Sequence, residues 1–450
     1  MQSESNQTNL TDLPSTSMTI KNINKILGLS AYDAARALQS RELKAQDYVG
    51  ACLDRIAERE PEVHAFAHIA KDLARARAKA LDDGAIQGPL HGLTLGAKDV
   101  FDTWDMPTQG GSRAFAGYQP VQDAACLATV RGQGVVILGK TITTELATFP
   151  TNGTRNPLNL EHTPGGSSSG SAAAVADYMV SFATGTQTMG STVRPCGYCG
   201  VTGYKPSYNL IPKRGVWPNA DSCDTVGLVA RDVRDVALLA SSMVQYPGLM
   251  LPEGKSGAPT IGVCRTFEWE RADEHIHRAF EDSTRRLAAA GARVVEIVLP
   301  EAFRGLREAQ AAVVRFEMGR GFADIMARHG NLIRKPLYDR TLAGMQVSGE
   351  AYQRAQTLGR QCRQMFADVL GECDVLFAPA ATGEAPKGQD FSGDTTMNQV
   401  WTFMHGPCLS VCGGFGPNGL PLAMQVVGRL DDDARTLRAA DWVDCCLKAG

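Results

Sequence analysis

Two short polar stretches hold most of the residues that could do chemistry. Residues 163–176 read TPGGSSSGSAAAVA, four serines among three glycines running into alanines, and residues 185–195 read GTQTMGSTVRP. Glycine opens backbone shapes closed to other residues and serine brings a hydroxyl, so the first stretch is either a flexible linker or a tightly built polar turn. Gly166 to Gly170 formally matches GxSxG, the strand–turn–helix elbow that would make Ser168 a nucleophile. Cys196-x-x-Cys199 has the spacing of a metal or redox pair, but no second CxxC completes a tetrahedral site. Its flanks, RPCGYCGVTGYKP, read as a packed turn, so the pair is expected to be buried, reduced thiols; the remaining cysteines are scattered. His64-x-x-x-His68 and His275-x-His277 are lone pairs with no third ligand nearby, so no metal is expected.

The elements that must position these residues decide among the readings. Ser30 to Glu58 carries apolar residues at helical spacing after a serine cap, and AKDLARARAKALDD repeats that character. GPLHGLTLGAKDVFDT predicts a strand entering a turn, and GVVILGKT is a continuous apolar run of the kind found in a buried strand. The alanines after the serine cluster predict a helix, followed by a short strand in MVSFATGTQT. Farther on, APTIGVCRTF and ARVVEIVLP flank the helix EHIHRAFEDSTRRLAAAG, and CDVLFAPA and GLPLAMQVVGR predict two more strands. Strands alternating with helices define an α/β fold. An elbow needs a buried strand directly before Gly166, whereas NGTRNPLNLEHTPGG is rich in Asn, Pro and Gly. A linker would open onto a new unit, yet here two polar loops bracket one helix, which is how loops on a rigid scaffold build an active site.

Composition excludes several classes. A formal net charge of −3 and an isoelectric point near 6.3 give no basic field for nucleic acid. No run approaches the roughly 18 apolar residues of a membrane span, so no membrane partner is expected and the location expected is cytoplasmic. Met1 to Ser17 is polar, with neither a basic nor an apolar region of a signal peptide, and reads as a disordered lead. With no internal repeat, and only 246–259 as a candidate boundary, residues 18–450 are expected to form one domain.

GGSSSGSAAAVA followed by GTQTMGSTVRPCGYCGVTGYKPS resembles the signature region of the amidase signature family, whose usual form is close to GGSSGGSAAA, then G-[ST]-[DQ]-T-G-G-S, then CG-x-x-G-x-KP. GLTLGAKDVFDT with MPTQGGS resembles that family's lysine segment. GKTITTEL, SCDTVGLVARDVRDVALL and GLPLAMQVVGR follow in family order, so the likeness covers roughly residues 30–445. It implies a large mixed β-sheet covered by helices on both faces, no cofactor, and a Ser–cis-Ser–Lys triad. Carried residue by residue, Lys98 in GAKD matches the lysine, Ser167 the serine after a cis peptide, and Ser191 the nucleophile; the two serines stand 24 positions apart, the separation the family's motif carries. The residue types make chemical sense: a serine hydroxyl needs a base, and lysine serves only when burial leaves it neutral. Ser168, Ser169 and Ser171 then support the turn.

The resemblance further implies an oxyanion hole from the backbone N–H groups of Thr188, Met189, Gly190 and Ser191. Met189 and Ser169 each replace a customary glycine. Asp99, Asp102 and Asp224 are assigned to turns and structural hydrogen bonds. Arg194 is read as a helix-start arginine paired with a structural carboxylate and shaping the pocket, with a substrate carboxylate as the competing reading. The function expected is hydrolysis of small amides or carbamates through a Ser191 acyl-enzyme; the alternative is the ammonia-generating subunit of an amidotransferase. Gln187, where such subunits usually have aspartate, argues for the first. A homodimer is compatible with either.

Overall fold

The computed structural model describes residues 25–254 and 256–449, so the lead expected over 1–17 lies outside the described residues. Eleven strands follow in chain order: β1 (Phe66–Ile69), β2 (Thr94–Lys98), β3 (Val136–Thr141), β4 (Phe182–Gln187), β5 (Thr202–Lys205), β6 (Thr225–Ala230), β7 (Thr260–Cys264), β8 (Arg293–Ile297), β9 (Val375–Pro379), β10 (Cys408–Phe415) and β11 (Pro421–Val427). They form one sheet in the order β1-β3-β2-β4-β6-β5-β10-β11-β9-β7-β8. It is mixed: β2 runs parallel to β3 and β4, β7 is parallel to β8 and β9, and the central pairs from β4 to β11 are antiparallel.

Every residue of β2, β3, β4, β6 and β11 is buried. Successive side chains of a strand point to opposite faces, so burial of all of them means both faces of the sheet are covered. The largest apolar cluster joins the Ala-rich helix Ser169–Ala176 and the helix Val233–Val244 to the strands around β2 and β4. A second cluster packs the helices Leu306–Gly321, Gly349–Leu370 and Thr396–Phe403 beside β9 and β11.

The helix expected to be continuous from Ser30 to Glu58 is two: Ala31–Gln39 and Ala45–Val63. Arg41 turns the chain with a left-handed backbone, its guanidinium donating to the carbonyls of Asp82 and Gly84. The second helix starts where Asp82 accepts from the N–H groups of Ala45 and Gln46 at 2.8 and 3.0 Å. That cap comes from another helix, so the local spacing carries no sign of the break. Strands β1, β5, β6 and β10 are additions to the sequence-based expectation; β1 and β5 are four residues each, too short for a pattern to declare itself.

Candidate active site

Lys98 is the last residue of β2 and is wholly buried. Its Nζ lies 2.7 Å from Ser167 Oγ, 2.7 Å from Thr186 Oγ1 and 3.0 Å from Ser168 Oγ. Parallel pairing of β2 with β4 explains how Thr186, 88 positions away in the chain, reaches it. Burial lowers the lysine pKa from 10.5 to about 7, while the charge of Asp224 acts in the opposite direction. A lysine ringed by hydroxyls and without an ion-pairing carboxylate among the described residues is therefore a base available near neutrality.

The serine turn is built to reach this lysine. Gly165 takes a left-handed backbone, and a Cβ there would stand only 2.9 Å from Tyr198 and 3.0 Å from Pro195. The peptide between Gly166 and Ser167 is cis. Gly170 lets the following helix lie against the chain at Ala65 and Ile142, where a Cβ would meet Ala65 O at 2.1 Å. Ser168 accepts from Lys98 and from the Thr186 N–H, Ser169 donates to Ile142 O, and Ser171 donates to Thr184 O. These are the supporting roles expected of them. Ser168 is fully buried and no strand immediately precedes Gly166, so the elbow has neither its exposure nor its scaffold.

Ser191 is half-buried and lies where the second polar loop meets the first: its carbonyl accepts the Ser168 N–H at 3.2 Å. The structure brings Lys98 and Ser167 into direct contact and places Ser191 on the adjoining loop. No hydrogen bond joins the Ser191 hydroxyl to Ser167 among the described residues. Such contacts commonly tighten only when substrate binds.

The loop before Ser191 is held by its carbonyls and side chains, which leaves its N–H groups free. Gln310 donates to Thr188 O at 2.9 Å, Thr402 donates to Met189 O at 3.4 Å, and the Thr188 hydroxyl donates to Asp224 at 2.6 Å. The N–H groups of Met189, Gly190 and Ser191 donate to no acceptor among the described residues. Met189 needs no left-handed backbone, so replacing glycine there is without strain; its sulfur lies 3.9 Å from Arg340 Nη2. Gln187 accepts the N–H groups of Thr192 and Val193 at 3.0 and 2.9 Å and donates to Thr402.

Arg194 departs from its expected role. It pairs with no carboxylate among the described residues: Nη2 donates to Gly166 O at 2.6 Å and Nη1 to Gly393 O, and the side chain is buried. It clamps the serine turn to the segment before helix Thr396–Phe403. Both terminal nitrogens donate to backbone carbonyls, while Nε is buried without an acceptor among the described residues. Asp99 and Asp102 are structural as read, accepting from Gln109 and Gly111 N–H and from the Trp217 indole. Cys196 and Cys199 are free and buried, with burial raising both thiol pKa values. Among the described residues no group of three His, Cys, Asp or Glu side chains is placed to hold a metal, and no helix is long and apolar enough to cross a membrane.

Two residues of the site, Thr186 and Arg340, escape sequence reasoning. Thr186 stands in the quoted motif, and its strand position two residues from Thr184 puts it on the same face as the Lys98 contacts. Arg340, in the helix Lys335–Met345, is largely desolvated, packs over the Phe149 ring at 5.1 Å and beside Met189, and has no carboxylate partner among the described residues. No local pattern distinguishes it from the many paired arginines.

A large mixed sheet with a buried lysine and two serine loops at adjoining strand ends is the architecture of an amidase-type hydrolase. The family model Amidase matches residues 47–437, and the chain belongs to that family. A curated relative, a glutamyl-tRNA(Gln) amidotransferase subunit of Chloroflexus aggregans (strain MD-66 / DSM 9485), is 31% identical over 92% of this chain and 95% of its own length. Among solved structures, one described as an amidase superposes with a TM-score of 0.85 at 27% identity, covering 93% of this chain and 99% of the other. The native peptide amidase from Stenotrophomonas maltophilia gives 0.77 at 26% identity, covering 93% and 96%. The chemistry supported at the level of the family is cleavage of an amide C–N bond.

Proposed function

We propose that the protein cleaves the C–N bond of a carboxamide through an acyl-enzyme on Ser191, with Ser167 as relay and Lys98 as base. The observation that carries this reading is the Lys98 amine, buried, with its pKa near 7 and three hydroxyls around it. A neutral amine has two N–H donors and one lone pair, so two of the hydroxyls accept from it and Ser167 faces the lone pair. The Ser191 hydroxyl attacks the carbonyl carbon; its proton passes to Ser167, whose own proton moves to Lys98. The oxyanion then meets the N–H groups of residues 188–191. Collapse breaks the C–N bond, and the leaving nitrogen takes back the proton through Ser167. Water repeats the cycle and frees the acid.

Curated relatives favour the ammonia-generating subunit over free-standing hydrolysis of small amides or carbamates. The argument against it from Gln187 loses force, because Gln187 uses its carbonyl oxygen to accept two backbone N–H groups, a task an aspartate oxygen also performs. Arg340 adds support: a desolvated guanidinium beside the oxyanion loop, with no carboxylate partner among the described residues, suits a carboxamide that itself carries a carboxylate. The nitrogen then leaves as ammonia.

The test measures ammonia release from glutamine, asparagine, simple aliphatic amides and aryl carbamates, with gel filtration of the protein alone. Carboxylate-bearing amides are expected to turn over best, and Arg340→Leu to raise their KM while sparing neutral amides. Faster turnover of neutral amides or carbamates, unchanged by Arg340→Leu, would return the reading to a free-standing hydrolase.

A further inference from the structure

Asp224 lies just before β6, buried, with both carboxylate oxygens in use. One accepts the Thr188 hydroxyl at 2.6 Å; the other accepts the N–H groups of Asn219 and Ala220 at 2.7 and 2.9 Å. No basic side chain pairs with it among the described residues; the titratable groups that feel its charge are Lys98 on β2, Lys213 from the preceding loop and its neighbour Cys223. Thr188 is thus fixed at both ends, by Asp224 through its hydroxyl and by Gln310 through its carbonyl. The N–H groups of the three residues that follow have no acceptor among the described residues; that of Met189 shares a peptide plane with the Thr188 carbonyl that Gln310 holds, and the next two planes are held at Met189 O by Thr402 and at Gly190 O by the Arg194 N–H.

We infer that Asp224 is a positioning residue for the oxyanion loop, its carboxylate fixing the Thr188 side chain and with it the residue from which the N–H groups of residues 189–191 extend. The inference rests on the proposed roles of Ser191 and Lys98. Asparagine matches the shape: its Oδ1 can keep the two backbone N–H groups while its N–H₂ donates to the Thr188 hydroxyl, so what the substitution removes is the charge and the charge-assisted strength of all three bonds. Removing the charge disfavours protonated Lys98, which lowers the pH at which the base becomes neutral.

A fluorophosphonate probe tests this without knowledge of the substrate, since an activated serine oxygen bonds to its phosphorus and expels fluoride. The second-order rate constant for labelling is measured against pH on the full chain. Asp224→Asn is expected to lower it by about 30-fold or more and to shift the midpoint of its pH dependence downward. Thr188→Val, which keeps the charge and loses the hydrogen bond, is expected to lower it about 10-fold with the midpoint unmoved, and Thr188→Ser to restore it. Asp224→Asn labelling at the wild-type rate with an unmoved midpoint would overturn the inference, as would Thr188→Val labelling like wild type, which holds even if Asp224→Asn fails to fold. Persistent labelling of Ser191→Ala would overturn the nucleophile itself and this inference with it, and so is distinguishable from the other outcomes.

Discussion

Two lysines lie one strand apart in the same sheet, both wholly buried, and their surroundings differ. Lys98 ends β2; Lys140 on β3 pairs in register with its neighbour Ala97. Lys98 Nζ meets only hydroxyls, two of them on the serine turn. Lys140 Nζ donates to Phe101 O at 2.7 Å and to the Thr108 and Thr103 hydroxyls at 2.6 and 3.3 Å, with Asp99 at 3.7 Å. Burial lowers both pKa values, Lys98 to about 7 and Lys140 to about 8, where Asp99, Asp102 and Asp105 counter the burial. Phe101 O can only accept, and the Thr103 and Thr108 hydroxyls donate in turn to the carbonyls of Met106 and Phe101, so Lys140 is held as a donor and its proton has nowhere to go. A hydroxyl both accepts and donates, so Lys98 is joined to a path that can carry a proton. Desolvation is shared; what separates the proposed base from a strut is where the hydroxyls around it lead.

Removing each lysine in turn separates the two by the largest effects. Lys98→Ala is expected to lower kcat by about 10³-fold or more, as for loss of a general base, with Ser191→Ala lower still. Lys140→Met should instead destabilise the fold by about 3–5 kcal/mol, because Asp99 is left buried without its cation, and turnover by the protein that remains folded should fall less than tenfold. Parallel measurement of Tm and kcat separates the two; a dead but stable Lys140→Met would erase the distinction.

A smaller effect comes from the hydroxyls that orient Lys98. Ser168→Ala and Thr186→Val each remove one acceptor from the amine, and each should lower kcat by roughly 10-fold, against a far larger loss for Ser167→Ala. Equal losses at all three positions would mean that the amine has no preferred direction. Loss of all activity in Ser168→Ala with activity kept in Ser191→Ala would restore the elbow reading.

The smallest effect is on stability against pH. For both lysines the folded pKa lies below the unfolded value, so the unfolded chain holds more protons and stability rises with pH, for Lys98 from about 7 and for Lys140 from about 8, up to about 10.5. Lys98→Met should flatten that rise beginning near pH 7, which denaturant titrations at several pH values would detect. An unchanged slope would mean that Lys98 stays charged in the fold.

The same contrast marks what the sequence can disclose. Lys98, Ser167 and Ser191 stand in short motifs whose order and spacing survive as a linear pattern, and the strand runs TLGAK and VILGKT are apolar enough to declare themselves. Lys140 lies in such a run too, yet nothing local tells its role from that of Lys98; the sheet register and Asp99 decide it. Asp224 is readable as a hydrogen-bonding residue, but its contact with Thr188 spans 36 positions and appears only once β4 and β6 pair. Arg194 stands in a readable motif, yet the expected carboxylate partner is wrong, because its acceptors are the carbonyls of Gly166 and Gly393, which no side-chain pattern encodes.

The central claim is that Ser191 is activated by a neutral Lys98, and the pH dependence of kcat/KM for a carboxamide that does not itself titrate near neutrality tests it most directly. The expected rate climbs with pH along a limb set by Lys98 near 7, with Asp224, raised by burial to about 6, bending its acid end, reaches a plateau on the alkaline side, and loses the Lys98 limb in Lys98→Ala. A rate that peaks near pH 5 and falls above it, or a limb that persists in Lys98→Ala, would contradict it.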